Sequence, residues 1–274
     1  MTRSESKHAM VRGLGAVPVV ADALDPGQVV EAVARARPDV MVDQLTAIGS
    51  VDLRHMDRDF ALASSLRAEG ADHLLSAGAV GARRFVAQSN GAFPFARTGG
   101  AVEGEEDPLG SSPVRGMGAM VAAIRQLEEA VLGAGWAEGI VLRCCAFYGP
   151  GASMAPGEEQ FELVRERKFP LAGDGGVWSF IHTAGAAEAT VAAVEHGGRG
   201  ADNIVDDDPA PVAEWLSALP RILGAKKPLR VPRLAAGEAG AVLMTEIRGA
   251  SNAKAKRELR WQAAHPSWRQ GFAA

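Results

Sequence analysis

The sequence predicts an α/β fold built on a parallel β-sheet. In the first 150 residues, short apolar runs of strand length alternate with longer segments whose apolar residues recur at helical spacing. Strands separated by helices of this length are joined by right-handed crossovers, so their sheet is parallel and covered on both faces. After Pro150 the alternation loosens, which indicates a smaller lobe attached to the sheet.

The elements of the first part follow one another regularly. Strands are predicted at 17–20, 40–45 and 83–89, and in GIVLRCCAFYGPG (139–151), which runs into a Gly-Pro turn. Helices are predicted over 26–38, 60–78 and 117–133, the last ended by Gly133 and Gly135.

The later elements are less regular. They are a helix near 157–168, the stretch GDGGVWSFIH, a helix at 184–196, the strand ADNIV, a helix after APVAEW and a basic C-terminal segment. We therefore expect a sheet domain over 1–150, to which 184–206 returns, and a smaller substrate lobe over 151–183 and 207–274.

Composition favours a globular protein that binds small metabolites. Apolar residues make up 47% of the 274 positions and charged residues 23%, and the net charge is −4 at pH 7. This balance gives no sign of a nucleic-acid or anionic-membrane surface. The polar N-terminus and the lack of an apolar run near the roughly 18 residues of a membrane span predict a cytoplasmic protein. Cys144 and Cys145 are adjacent, and we expect reduced, buried packing residues.

Several stretches carry a resemblance to a known family. They are ADALD, RRFVAQSNGAFPFA, VLRCCAFYGPG, GDGGVWSFIHTAGAAEATVAAVE, NIVDDDPAPVAEWL and SNAKAKRELRW. In this order they are similar to elements of the extended short-chain dehydrogenase/reductase superfamily, of the NAD-dependent epimerase/dehydratase type. The likeness runs from residue 10 to 272 and implies a Rossmann-like doubly wound sheet, a C-terminal substrate lobe and an NAD or NADP cofactor.

The likeness begins part-way into the family's pattern. In the family a first strand, a G-x-x-G-x-x-G turn and a helix that binds the cofactor pyrophosphate come before the second strand. MTRS falls at the end of that second strand, and GLGAVP (13–18) is no substitute because it leads into a strand. We therefore expect this chain to bind NAD(P) weakly. We also expect the strand at 17–20 to pair directly with the strand at 40–45.

The family's catalytic pair, Y-x-x-x-K, also departs from the pattern. Alignment on the glutamates of RQLEEAV puts Met120 or Val121 at the tyrosine and Ile124 or Arg125 at the lysine. An apolar side chain cannot carry a proton, and the only tyrosine in the sequence is Tyr148.

Candidate catalytic residues are those at predicted strand ends, where an open α/β sheet presents reactive groups. They are Ser89, Asn90, Tyr148 and His182. Ser89 and Asn90 could donate hydrogen bonds to a substrate carbonyl or cap the strand end. Tyr148 would need a nearby cation or would shape its loop, and His182 titrates near neutral pH or is satisfied by backbone.

The resemblance implies further contacts. The cofactor-binding candidates are Asp22, Ala23, Leu45, Thr46, Ala47, Ser89 and Phe147. The substrate-binding candidates are Arg143, Trp178 and His182, with an ion pair open as the alternative for Arg143 and core packing for Trp178. No metal site is expected, because residues 206–208 read as a solvated turn and no Cys/His spacing fits zinc.

Two classes of function remain open. The leading one is an NAD(P)-dependent epimerase/dehydratase-type oxidoreductase that acts on a small carbonyl or sugar-like metabolite, with a homodimer compatible with it. The alternative is a cofactor-free isomerase or cyclase, or a binding module without chemistry. The missing tyrosine favours the alternative.

Overall fold

A computed structural model describes residues 1–49, 51–52, 55–92, 96–110 and 114–272. The helices within them are α1 (His8–Gly13), α2 (Pro26–Ala36), α3 (Met56–Asp59), α4 (Ala61–Ser65), α5 (Ala71–Gly78), α6 (Gly118–Gly133), α7 (Glu159–Arg165), α8 (Thr183–His196), α9 (Val212–Ile222), α10 (Gly237–Thr245), α11 (Ala253–Glu258) and α12 (Trp268–Gly271). The strands are β1 (Val40–Asp43), β2 (Arg84–Asn90), β3 (Val102–Glu103), β4 (Glu138–Cys144), β5 (Ala146–Tyr148), β6 (Val177–Trp178), β7 (Phe180–His182), β8 (Gly200–Ile204), β9 (Ala210–Pro211) and β10 (Gly249–Ala250).

The central sheet is parallel and has the strand order β1-β2-β4-β8. Side chains of alternate residues point to opposite faces, so each strand supplies both sides. Phe85 and Val141 pack with residues of α2, α5 and α6 on one face, whereas Val86 and Ile140 pack with residues of α8 and α11 on the other. The predicted doubly wound sheet is confirmed.

Local signals explain where the crossover helices begin. Asp25 caps α2, because its Oδ1 accepts hydrogen bonds from the backbone N–H groups of Gly27 (2.9 Å) and Gln28 (3.1 Å), and Pro26 occupies the first helical position. The helix ends at Arg37, whose φ of 46° is left-handed. The helix predicted over 60–78 is interrupted by a π-helical turn, Leu66–Gly70.

The strand predicted at 17–20 does not join the central sheet. Only Val20 forms a bridge, a parallel one with Thr2, supported by hydrogen bonds from Thr2 N to Val19 O (2.8 Å) and from Ala21 N to Thr2 O (3.0 Å). Within the described ranges β1 pairs only with β2. Direct closure onto β1 was therefore the wrong prediction. Thr2, and not β1, is therefore the partner of this segment.

A further hydrophobic cluster combines residues of β5 with residues of β7, α7, α9 and α12 from the part of the chain after Pro150. Three short pairings lie outside the central sheet: β5 with β7, β6 with β9, and β3 with β10. In the part of the chain that the structure describes, no helix has the length and apolar character needed to cross a membrane.

Gly139 of β4 lies directly beneath α6, and we expect Gly139→Ala to destabilise the protein by about 1–3 kcal/mol. A Cβ atom there would lie about 2.0 Å from the backbone oxygen of Val131, which cannot move without shifting the helix. Gly133→Ala is the matched control, because a Cβ at Gly133 meets no atom within 4 Å. Urea unfolding of both variants checks this, and equal losses of stability would contradict it.

Candidate active site

A cleft of about 460 Å³ opens at the carboxyl ends of β1, β2 and β4. Residues that follow these strands form one side, and the opposite side comes from the C-terminal part of the chain. Its apolar lining includes Phe60, Phe147, Met154, Trp178 and Met244. An open α/β sheet holds ligands at this edge, so this cleft is the candidate active site.

Ser89, Glu128 and Arg143 form a buried network beneath the cleft. The Ser89 hydroxyl donates to Glu128 Oε1 over 2.6 Å, and the Arg143 guanidinium donates to both Glu128 oxygens, at 2.7 Å in the shortest contact. The exposed fractions of the three residues are 3%, 4% and 5%. The Ser89 proton is thus directed at Glu128. Arg143 forms the ion pair left open as its alternative, and its contact with a substrate stays a prediction.

Asn90 lies at the end of β2 and lines the cleft. Its Oδ1 accepts a hydrogen bond from Ala92 N over 2.9 Å, which shapes the turn after the strand. With the oxygen facing the turn, the amide nitrogen is the Asn90 group suited to donate to a ligand.

Tyr148 is fully buried and does not line the cleft. Its ring packs in the C-terminal cluster, 4.6 Å from the ring of Phe272 and 5.2 Å from that of His182. Burial, and secondarily the charge of Asp206, raises the pKa of Tyr148 well above its ordinary value. The phenol faces the core, so Tyr148 is not placed to give a proton to a ligand in this cleft, and its catalytic role stays a prediction.

His182 caps α8 and likewise lies outside the cleft lining. Its Nδ1 accepts a hydrogen bond from Ala184 N over 3.1 Å, and its ring stacks 4.0 Å from that of His265. Burial, followed by the charge of His265, lowers the pKa of His182. In this structure His182 acts as a helix cap, and its roles in catalysis and substrate binding stay predictions.

Three of the residues predicted to touch a cofactor line the cleft: Ser89, whose contacts are given above, Thr46 and Phe147. Thr46 follows β1, and Phe147 lies in β5 beside the end of β4. Leu45 and Ala47 flank Thr46 and are half-buried, and the Leu45 N–H donates to Asp43 Oδ1 over 3.0 Å. This segment is the chain's contribution to the rim at β1.

The other two, Asp22 and Ala23, lie elsewhere. They follow the Val20 bridge and are not among the cleft residues. Asp22 Oδ1 accepts from Leu24 N over 3.0 Å, and the carbonyl of the buried Ala23 contacts His73 Nδ1 over 2.9 Å. Both residues thus have structural partners in this loop.

Of the α6 positions aligned with the family's tyrosine and lysine, Met120, Val121 and Ile124 are apolar and packed, and Arg125 is half-buried. Met120 and Ile124 are each 1% exposed and lie in a cluster with Met56 and Met117, against which Val121 also packs. No phenol reaches this side of the cleft within the described residues, since Tyr148 is buried elsewhere.

Trp178 is both a wall of the cleft and part of the core. Its Nε1 donates to Leu243 O over 2.8 Å, and its ring lies 5.0 Å from that of Trp215. These two contacts fix the plane of the indole that faces a bound ligand.

Sequence reasoning missed two arginines of the cleft, Arg67 and Arg248. Arg67 lies in the π-helical turn; burial lowers its pKa, and the charge of Asp43 opposes that effect. Burial in turn raises the pKa of Asp43 to about 6. A regular helical pattern over 60–78 could not reveal this turn, and no spacing signal marked Arg248.

Both cysteines are buried, and so is Asp206, the first residue of the acidic run 206–208. Cys144 and Cys145 line the cleft, and burial raises the pKa of Cys145 to about 12, so its thiol stays protonated. Asp206 is only 1% exposed, which corrects the prediction of a solvated turn. Its neighbours Asp207 and Asp208 form ion pairs that are partly exposed.

Sequence comparison yields one full-length relative and no match to a family model. The relative, a 3-diazoavenalumate denitrifying reductase of a Streptomyces species, is 42% identical over 286 residues, which cover 98% of this chain and 92% of that protein. Its name describes a reductase that removes nitrogen from a diazo compound.

Solved structures share the fold. A UDP-glucuronic acid 4-epimerase from Bacillus cereus, in complex with NAD, superposes with a TM-score of 0.70 and 17% identity, over 98% of this chain and 83% of that one. RMD from Pseudomonas aeruginosa, complexed with NADPH, superposes with a TM-score of 0.67 and 16% sequence identity. The match covers 94% of this chain and 86% of that one.

Proposed function

The chain belongs to the NAD-dependent epimerase/dehydratase family of short-chain dehydrogenase/reductase-like oxidoreductases, and on that premise we propose that it is a nicotinamide-dependent reductase that replaces a diazo group with hydride. The proposal gives this chain the reaction type named for its relative. It replaces the small carbonyl or sugar-like substrate expected from the family alone.

The observation that supports it best is the missing phenol. The family's proton transfers need a tyrosine at the start of α6, where this chain has Met120 or Val121, and its one tyrosine is buried in the core. Replacing a diazonium group consumes no proton: R–N₂⁺ and hydride give R–H and N₂, with both hydride electrons forming the new C–H bond. A site for this reaction can therefore dispense with the tyrosine.

The cleft residues fit the nicotinamide end of the cofactor. The Thr46 hydroxyl, the Asn90 amide and the Phe147 ring stand at the strand ends, where they could hold a carboxamide and a flat ring. A reduced nicotinamide bound there would supply hydride. Phe147 and Trp178 would then exclude water and orient a planar substrate between them.

Isotope transfer tests the proposal. The protein is incubated with an aryl diazonium salt and millimolar cofactor deuterated at the transferable position, and products are analysed by mass spectrometry. We expect N₂ release and deuterium on the carbon that carried nitrogen, with none incorporated there from D₂O when the cofactor is unlabelled. Deuterium arriving from solvent would contradict hydride transfer, and no turnover with either NADH or NADPH would favour a binding module.

Cofactor affinity should be weak for this 274-residue chain. The sequence contains no glycine turn that leaves a strand and opens a helix, which is the arrangement that binds a pyrophosphate. Calorimetric titration with NADH and NADPH should give dissociation constants above the low micromolar range. A low-micromolar constant for either would show that other residues hold the pyrophosphate.

Tyr148→Phe and His182→Gln should each leave kcat for diazo reduction within a few fold of wild type. Neither side chain lines the cleft, and the proposed reaction needs no proton from them. Both variants are assayed at saturating substrate, with circular dichroism to confirm folding. A loss of roughly 100-fold in either would identify a proton donor and overturn this prediction.

A further inference from the structure

Arg248 lies at the junction of two cavities. Besides the cleft, a second cavity of about 580 Å³ is lined by residues of α6 and α10 and by the segment around Arg97. The residues that line both are Ala92, Leu243, Ile247 and Arg248. Arg248 thus stands where a ligand that fills the cleft would extend into the second cavity.

The backbone on either side of Arg248 is held by hydrogen bonds. Val177 N donates to Ile247 O over 2.9 Å, and Gly249 N donates to Ala101 O over 3.0 Å. These bonds fix where the Arg248 side chain leaves the main chain, so no main-chain ordering is needed when a ligand binds.

Arg248 differs from its neighbours in having no direct ion pair among the described residues. Glu246 pairs with both Arg97 and Arg233. The Nη2 of Arg248 reaches only the carbonyl of Arg97, over 3.4 Å, and its Nε is buried with no acceptor in the described part of the chain. A buried charged donor without an acceptor is destabilising, and a bound anion would relieve that cost.

The nearby acidic groups do not satisfy Arg248. Burial, and then a hydrogen bond with Asp107, raises the pKa of Glu103. The charge of Arg248 acts in the opposite direction but does not outweigh these two effects. The other arginine of the cleft, Arg67, has the buried Asp43 as its charge partner. Arg248 is therefore the better placed of the two cleft arginines to bind an anion.

From this placement we propose that Arg248 binds the carboxylate of an aromatic substrate whose ring lies against Trp178. The planar guanidinium matches a carboxylate with two parallel hydrogen bonds, and the indole is fixed by Leu243 and Trp215. The proposal rests on the proposed function for the reaction, and it adds the substrate class: aryl carboxylates that carry the diazo group at the other end.

Binding of unreactive acids tests the subsite without cofactor or turnover. Benzoate, cinnamate, phenylacetate and their primary amides are titrated into wild type, Arg248→Met and Arg248→Lys by calorimetry, with thermal unfolding to confirm that each variant folds. We expect wild type to bind at least one acid more tightly than its amide. Arg248→Met should lower the affinity for that acid at least tenfold and leave the affinity for its amide unchanged. Arg248→Lys keeps the charge but loses the forked pair of donors, so its affinity for the acid should lie between those of wild type and Arg248→Met.

Arg233→Met is the matched control, because Arg233 pairs with Glu246 and lines neither cavity. It should bind the same acid as tightly as wild type does. Equal affinity of wild type and Arg248→Met for the acid, or no acid preferred over its amide, would overturn the proposal. Arg248-dependent binding of phenyl phosphate but of no acid would also overturn it, and would assign the subsite to phosphate.

A kinetic comparison separates this proposal from the proposed function. With diazo substrates, Arg248→Met should raise KM for one that carries a carboxylate and leave one without it unaffected. If no diazo substrate is reduced while acid binding still depends on Arg248, the proposed function fails and the carboxylate subsite stands.

Discussion

Replacing Glu128 with glutamine should lower the free energy of unfolding by about 3–5 kcal/mol. Glu128 accepts hydrogen bonds from both Arg143 and Ser89, and all three residues are buried. The neutral amide removes the negative charge that faces the Arg143 guanidinium in a low-dielectric interior, where the loss of that attraction is large. Urea unfolding followed by tryptophan fluorescence measures the change.

Glu31→Gln is the matched control for this substitution. Glu31 pairs with Arg35 one helical turn away on α2, but the two side chains are 70% and 68% exposed. Such a pair contributes little because water screens it, so we expect a change within about 0.5 kcal/mol. A loss in Glu128→Gln no larger than the loss in Glu31→Gln would show that the buried network does not stabilise the fold.

Periodicity in the sequence was enough to predict the central sheet. β2 and β4 each contain an apolar run, FVA and IVL, whose residues are buried against helices on the two faces of the sheet. The N-terminal strand at 17–20 looked the same, yet only Val20 is bridged. An apolar run predicts an extended segment but not its neighbour, because pairing depends on which edge is available.

The short pairings of the C-terminal part could not be predicted. β3 pairs with β10, nearly 150 residues later, through only two residues on each strand. Such pairs have no periodicity of their own and exist because the helices and loops around them are packed. α10 was missed for a related reason: it is apolar on all sides and shows no amphipathic stripe.

Whether a predicted site residue lines the cleft depends on the direction in which its side chain leaves the end of the strand. Thr46, Asn90 and Trp178 line the cleft, while their roles toward a ligand stay predictions. Tyr148 follows the same strand-end logic, but its ring turns into the C-terminal core, and no sequence pattern distinguishes the two sides of a three-residue strand. For His182 a signal did exist, because it directly precedes a helix at a position suited to an N-cap acceptor.

Replacing Asp206 with asparagine should stabilise the protein by roughly 3–5 kcal/mol at about pH 8. The carboxyl is 1% exposed, and its Oδ2 has no hydrogen-bond partner among the described residues. Burial, and secondarily the neighbouring Asp208 and Asp207, raises its pKa to about 8, although two backbone hydrogen bonds act to lower it. Asparagine keeps the shape and an acceptor oxygen for Asp208 N, and it never has to ionise in the core.

The sign of the pH dependence follows from where protons are bound. Between about pH 4 and pH 8 the folded protein holds a proton on Asp206 that the unfolded chain has released, so the stability of wild type falls as pH rises through this window. Burial also raises the pKa values of Asp43 and Asp202 to about 6, so these two groups add to the fall in stability with pH in the lower part of the same window. Asp206→Asn should therefore match wild type most closely near pH 4, and its stability should change little between about pH 6 and pH 8.

Asp207→Asn is the neighbouring control, and its effect should have the opposite sign. Although burial acts to raise the pKa of Asp207, hydrogen bonds from Asn252 and Lys256 hold it below its ordinary value. Its charge thus stabilises the fold above the unfolded pKa, and its half-exposed pair with Lys256 is worth at most about 1 kcal/mol. Urea unfolding at several pH values should show Asp207→Asn slightly less stable than wild type at neutral pH and Asp206→Asn clearly more stable. If Asp206→Asn kept the wild-type decline between about pH 6 and pH 8, the proton would reside on another group.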